Sequence, residues 1–152
     1  GALTSGDSNT IIGYKSAVLL QGGTSNVAVG YQSLATAVAV GQTIAIGDGA
    51  LGGGVLTAGA GDGTGADGTI AIGYSAGYNL SSGSGNTVIG YQALDLEDTG
   101  DFNTVLGYQA LTAQNHTDGT VGNTAIGYQA GVALASANNV QNTLIGYSNC
   151  IR

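Results

Sequence analysis

The chain contains 152 residues, of which 7% are charged and 43% are hydrophobic, with 29 glycines, no proline and a formal net charge of −7. Lys15 and Arg152 are its only lysine and arginine, too few to neutralise the phosphates of a nucleic acid or to hold an anionic membrane surface. The hydrophobic fraction argues against disorder, and the glycine content argues against a helical protein, since each interior glycine costs a helix about 1 kcal/mol relative to alanine.

One short phrase, an apolar triplet closed by glycine, occurs eight times from end to end. Successive repeat glycines are 17, 17, 26, 17, 17, 20 and 19 residues apart. A period of this size indicates one supersecondary unit stacked many times. The copies are 10–14, 27–31, 44–48, 70–74, 87–91, 104–108, 124–128 and 143–147. Residues 1–152 are therefore interpreted as a single all-β domain, a parallel β-solenoid of about eight coils, and as a segment of a longer fibre.

The repeat glycines are predicted to permit a positive φ or a close stacking of coils. They are Gly13, Gly30, Gly47, Gly73, Gly90, Gly107, Gly127 and Gly146. A tyrosine follows seven of them, and stacking at one coil spacing of about 4.8 Å predicts an aromatic ladder. These tyrosines are Tyr14, Tyr31, Tyr74, Tyr91, Tyr108, Tyr128 and Tyr147, and Asp48 replaces tyrosine in the third copy.

The residue in the middle of each triplet is apolar in every copy. The large aliphatic before each glycine and the residue two places earlier share a strand face, and we predict that this face points inward. The middle residues then face outward in an apolar stripe, which predicts an oligomer interface. The stripe comprises Ile11, Ala28, Ala45, Ala71, Val88, Val105, Ala125 and Leu144.

Other positions of the repeat also carry structural predictions. An asparagine precedes the phrase in six copies and is expected to pair with its counterpart in the next coil. Leucines four places after the glycine, such as Leu34 and Leu94, are expected to fill the interior. Residues 37–40 have a sequence similar to the repeated motif and are predicted to form a second strand of their coil.

Three segments are candidate binding sites. The glycine-rich excursion 52–68 is either a binding loop or a tolerated insertion. The acidic segment 95–101 is read as solvated turn residues, with a bound calcium ion as the alternative. His116 has no Cys or second His nearby, so it does not indicate a transition-metal site. We therefore expect no cofactor, no metal and no catalytic residue.

The segments 86–94, 103–111 and 123–131 resemble the repeats of phage tail-fibre shafts, which commonly precede an intramolecular chaperone domain of the endosialidase type. The Ile-Ala-Ile-Gly forms at 44–47 and 70–73 are similar to the head repeats of trimeric autotransporter adhesins. The tyrosine after the glycine and the 17-residue coil fit the tail-fibre form better. The resemblance implies a left-handed parallel β-roll, three chains around one axis and a role in attachment.

Three functions remain open. The first is a structural and adhesive fibre segment on a virion or cell surface. In this function the chain associates with further copies of itself, as a homotrimer or a longer helical assembly, and the assembly binds a surface receptor or glycan. The second is an ice-binding solenoid that uses the threonines at 10, 87, 104, 124 and 143, although we predict that they point inward. The third is a carbohydrate-cleaving solenoid, which needs paired carboxylates or a basic residue in a groove. The predicted position of the acidic residues in turns and the near absence of basic residues disfavour it.

Overall fold

The computed structural model describes residues 6–54, 56, 65–116, 120–134 and 140–149. In that part of the chain each copy of the phrase forms one strand of three residues. The strands are β1 (Thr10–Ile12), β2 (Val27–Val29), β3 (Ile44–Ile46), β4 (Ile70–Ile72), β5 (Thr87–Ile89), β6 (Thr104–Leu106), β7 (Thr124–Ile126) and β8 (Thr143–Ile145).

The eight strands form one parallel sheet in chain order. Each strand pairs with the next so that equivalent residues face each other, as Ala28 faces Ala45 and Val88 faces Val105. The same register holds across the 26-residue step between β3 and β4, where Ala45 faces Ala71. The all-β parallel solenoid predicted from the repeat is confirmed.

The predicted direction of the strand side chains was wrong. Seven of the eight middle residues are buried inside the solenoid of a single chain: Ala28, Ala45, Ala71, Val88, Val105, Ala125 and Leu144. The eighth, Ile11, lies in the first strand and is 40% exposed. These residues are core and cannot form an oligomer interface. The physical reason is that buried turn leucines such as Leu34 and Leu94 already occupy much of the interior. The smaller middle side chains complete this core, and the large aliphatics before the glycine face outward.

A series of turns, and not a second strand, follows each repeat glycine. Residues two and four places after the glycine have positive φ, as at Gln32 (+50°) and Leu34 (+52°). Their backbone N–H groups point to opposite neighbours, since Gln32 donates to the carbonyl of Tyr14 in the preceding coil and Leu34 to that of Ala50 in the following one. Residues 37–40 lie in bends and irregular structure, so the second strand that the sequence suggested is not present there.

The interior of the coils is filled as the repeat predicted. Leu34, Leu51, Leu94 and Leu111, four places after their glycines, are fully buried. The predicted asparagine ladder is also present, because the amide of Asn103 donates to Oδ1 of Asn86 at 3.0 Å. The same bond recurs between Asn26 and Asn9 and between Asn142 and Asn123.

Several sequence predictions lie outside the described residues. Residues 55 and 57–64 of the glycine-rich excursion are among them, as are Cys150 and Arg152.

Candidate interaction surface

The outward side of the sheet carries two rows of side chains, which we call the strand face. One row consists of Thr10, Val27, Ile44, Ile70, Thr87, Thr104, Thr124 and Thr143. The other consists of Ile12, Val29, Ile46, Ile72, Ile89, Leu106, Ile126 and Ile145. Within each described strand from β2 to β8 the middle residue is buried and both of these residues are half-buried or exposed, with Leu106 at 45%.

The tyrosine row runs beside the strand face, because a tyrosine lies two residues beyond seven of the eight large aliphatics. The ring centroids of Tyr74, Tyr91, Tyr108, Tyr128 and Tyr147 are successively 5.0, 5.0, 5.3 and 4.9 Å apart. Their interplanar angles are 6–14°. Tyr14 and Tyr31 stack separately at 5.8 Å. The predicted aromatic ladder is therefore confirmed, in two sections on either side of Asp48.

A glutamine row follows the tyrosines and is joined by hydrogen bonds. Nε2 of Gln109 donates to Oε1 of Gln92 at 3.1 Å, and Nε2 of Gln129 donates to Oε1 of Gln109 at 3.0 Å. Gln109 thus donates to the preceding coil and accepts from the coil that follows. This polar row separates the strand face and the tyrosines from the remaining turns.

The repeat glycines hold all these rows in register. Their φ angles lie between +128° and +144°, a backbone region that residues with a side chain rarely adopt. A Cβ on any of the first seven would come closer than 3.0 Å to the carbonyl oxygen of the repeat glycine in the next coil. The coils can therefore approach to one strand spacing only because these positions have no side chain.

The strand face and the tyrosine row make one continuous surface with little charge. Seven steps of about 4.8 Å give a length of roughly 34 Å. Three rows about 7 Å apart then give an area on the order of 600 Å². The largest apolar patches on monomeric proteins are about 300–600 Å², and only part of this surface is apolar, since five residues of the first row are threonines. Asp48 is the one charged residue in the three rows, so this surface is suited to contact with another uncharged surface.

A buried polar cluster lies within the fifth and sixth coils and was not predicted from the sequence. Glu97 is fully buried and His116 is 2% exposed. Oε1 of Glu97 accepts hydrogen bonds from the backbone N–H groups of Gly100 (2.8 Å), His116 (3.1 Å) and Thr99 (3.3 Å). Oε2 lies 3.1 Å from Nδ1 of His116. The prediction that the acidic segment is a solvated turn was wrong for Glu97.

The rest of the acidic segment lies nearer to the surface. Asp98 is exposed and Asp95 is half-buried, and desolvation by burial raises the pKa of the Asp95 carboxyl above its usual value. Among the residues that the structure describes, no three His, Cys, Asp or Glu side chains come close enough to hold a metal ion.

Comparison with known proteins adds no relatives. No protein-family model, no curated protein and no solved structure matches the chain. Over the described ranges, no helix has the length and apolar character needed to cross a membrane.

Proposed function

We propose that the chain is a structural and adhesive segment of an extracellular fibre, on a virion or a cell surface. The partner is a second and a third copy of the same chain. The rod so formed would present its turns to a receptor or glycan on another surface. No catalytic role is part of this proposal.

The observation that carries the proposal is the strand face. Its large aliphatics are only partly covered by their neighbours in adjacent coils, as the 45% exposure of Leu106 illustrates. Specific protein interfaces bury about 800 Å² per partner, and the area of the strand face with its tyrosine row is of the same order. A second copy offers an equally long face with the same spacing along the axis, so the rows of the two copies can interdigitate over their whole length.

The proposed assembly is a left-handed β-roll with three chains around one axis, as the resemblance to tail-fibre shafts implies. The strand faces would meet at the axis, and the tyrosine rows would lie at the rim, where their hydroxyl groups remain in contact with water. Such a rod is stiff because each coil is bonded to its neighbours through the backbone and through the asparagine and glutamine rows.

Substitution of Ile89 by aspartate tests the assembly. The variant places a charge in the middle of the strand face, where burial against another chain would be costly. We expect the wild-type protein at micromolar concentration to sediment as an oligomer. The Ile89→Asp variant is expected to sediment as a single chain of 14.7 kDa with an unchanged circular dichroism spectrum.

Leu96 provides the matched control, since it is an exposed leucine (47%) that lies outside the strand face. Leu96→Asp is expected to leave the oligomer intact. A monomeric wild-type protein, or equal dissociation by both variants, would contradict the proposed assembly.

An ice-binding surface is the second candidate, and one observation favours it. Thr87, Thr104, Thr124 and Thr143 form an outward row, contrary to the prediction that they point inward. Four consecutive hydroxyl and methyl groups at about 4.8 Å spacing make a regular array. Coils two to four lack this hydroxyl group, because Val27, Ile44 and Ile70 replace threonine there.

Thermal hysteresis measures this second activity directly. If the threonine row binds ice, the wild-type protein separates the freezing and melting points of a solution. Thr104→Lys is then expected to abolish that separation, and Leu96→Asp to leave it unchanged. A wild-type protein without thermal hysteresis excludes this function.

A further inference from the structure

Phe102 differs from the other residues that lie five places before a repeat glycine. The equivalent residues are glycine, serine or glutamine: Ser8, Ser25, Gln42, Gly68, Gly85, Gly122 and Gln141. All eight positions have positive φ, between +57° and +67°. Glycine adopts this conformation freely, whereas an aromatic residue rarely does. Phe102, at φ +58°, is therefore held in a conformation that costs the chain free energy.

The phenyl ring is also unusually exposed. Phe102 is 59% exposed, more than any other large hydrophobic residue that the structure describes outside the first and last coils. Glycines occupy the equivalent positions of both adjacent coils, and Cδ1 of the ring lies 2.9 Å from where a Cβ on Gly85 would be. The ring thus leans over the preceding coil with no side chain of this column beside it. A strained, exposed aromatic residue adds little to the core of its own chain, and such residues are typical of contact sites.

Phe102 lies at one edge of the strand face, and the tyrosine row lies at the other. Phe102 comes two residues before Thr104, where β6 begins, and Tyr108 comes two residues after Leu106, where β6 ends. The two aromatic side chains are therefore at opposite ends of one strand. The tyrosine rings are stacked with interplanar angles of 6° and 7° at Tyr108, so the row presents ring edges to its surroundings.

Three chains around one axis contact each other through unlike sides, because the left side of each chain faces the right side of the next. When the strand faces meet at the axis, the edge that carries Phe102 adjoins the tyrosine row of the neighbouring copy. Equivalent coils of the three chains lie at the same height in such an assembly. Phe102, which leans toward the preceding coil, is then level with Tyr91 and Tyr108 of the neighbouring copy.

We infer that Phe102 packs against the tyrosine row of a neighbouring copy of the same chain. The face of a phenyl ring is electron-rich and the edge of a tyrosine ring is electron-poor, which favours an edge-to-face contact. The contact needs only the outward edges of the tyrosine rings, whose faces remain stacked. This inference rests on the proposed assembly, and it names the side chain that joins the edge of one chain to the tyrosine row of the next.

Fluorine NMR tests the contact at a single position. Phe102 is the only phenylalanine of the chain, so incorporation of fluorophenylalanine places one fluorine label there. We expect the resonance of the oligomer to differ from that of the monomeric Ile89→Asp variant. Replacing Tyr91 and Tyr108 together by leucine should move the oligomer's resonance toward the monomer value. The same double substitution in the Ile89→Asp variant should cause no shift, because a strand separates Phe102 from the tyrosine row within one chain.

Tyr78→Leu is the matched control, since Tyr78 is an exposed tyrosine outside the tyrosine row. It should leave the fluorine resonance of the oligomer unchanged. If the wild-type oligomer has the same resonance as the Ile89→Asp variant, or does not respond to the double leucine substitution, the contact is wrong although the assembly stands. A monomeric wild-type protein would overturn both the contact and the assembly.

Phe102→Gln measures how much the contact contributes to assembly, since glutamine is the natural residue at positions 42 and 141 of the same column. We expect the variant oligomer to dissociate at a protein concentration at least about tenfold higher than the wild-type oligomer. In the Ile89→Asp background the same change should not lower the denaturant midpoint, because glutamine already holds this φ in two coils. Unchanged dissociation of the oligomer, or a lower midpoint of the single chain, would contradict the inference.

Discussion

Replacement of Gly107 by alanine is expected to prevent the solenoid from folding. Gly107 has φ +144°, and a Cβ there would come closer than 3.0 Å to the carbonyl oxygen of Gly127 in the next coil. That oxygen belongs to the backbone, so it can yield only if the sheet opens between β6 and β7. We expect a loss of more than about 4 kcal/mol in the free energy of unfolding, measured by thermal and denaturant unfolding with circular dichroism.

Gly146 is the matched control. Its φ is +128°, but no atom of the described residues lies within 4 Å of the position that its Cβ would take. Gly146→Ala therefore introduces the backbone strain, on the order of 1–3 kcal/mol, without the steric clash. Equal effects of the two substitutions would show that φ alone, and not the contact between coils, requires glycine in this column.

The second large effect is expected from Glu97→Ala. This change removes the acceptor for the backbone N–H groups of Thr99, Gly100 and His116 and the partner of the His116 ring. Each buried group that loses its partner costs about 1–3 kcal/mol, and the shorter side chain also leaves a cavity. We expect a loss of at least about 3 kcal/mol at neutral pH, measured by denaturant unfolding.

Glu97→Gln separates the hydrogen bonds from the charge. The amide oxygen can still accept from the three backbone donors, so we expect a loss of only about 1 kcal/mol. If Glu97→Ala unfolds at the same denaturant concentration as the wild-type protein, the carboxylate is solvated, in agreement with the turn predicted for residues 95–101.

The repeat period accounts for the part of the fold that could be predicted. Glycines such as Gly90 and Gly107 recur at 17-residue steps with an aliphatic before them and a tyrosine after them. These positions determined the strands, their parallel order and the tyrosine ladder. The spacing between coils was enough to predict the ladder, because equivalent aromatic side chains in adjacent coils must lie one strand spacing apart.

The predicted direction of the strand side chains was the reverse of the observed one, because the prediction followed the hydrophobicity of the residues and not their size. A signal for the correct direction was present in the sequence. The asparagines before the strand, such as Asn86 and Asn103, are two residues from the small middle residues Val88 and Val105, so both point to the same side. The amide ladder requires shielding from water, and this places both positions inside the coil.

The polar cluster could have been found from the repeat itself. Seven places after their glycines, Leu20, Leu80 and Leu134 are buried in the core. Glu97 and Gln114 occupy the same position in the fifth and sixth coils. Comparing equivalent positions would have indicated a buried carboxylate in need of donors. The pairing with His116 was not predictable, because it depends on how the longer sixth coil folds back onto the fifth.

The turns could not be predicted from hydrophobic pattern. Positive φ at Gln32 and Leu34 goes against the usual preference of these residues. It is stabilised by hydrogen bonds to two different coils, which exist only once the stack has formed.

The constant register across unequal steps has a consequence for how such a chain can change over time. Coils of 17, 19, 20 and 26 residues all return their glycines to the same column. Duplication of a single coil would lengthen the molecule by one rung of about 4.8 Å without a new packing problem. The extra residues of the longer coils fall between one strand and the next in the sequence, so the length of the rod and the length of its loops can vary independently of each other.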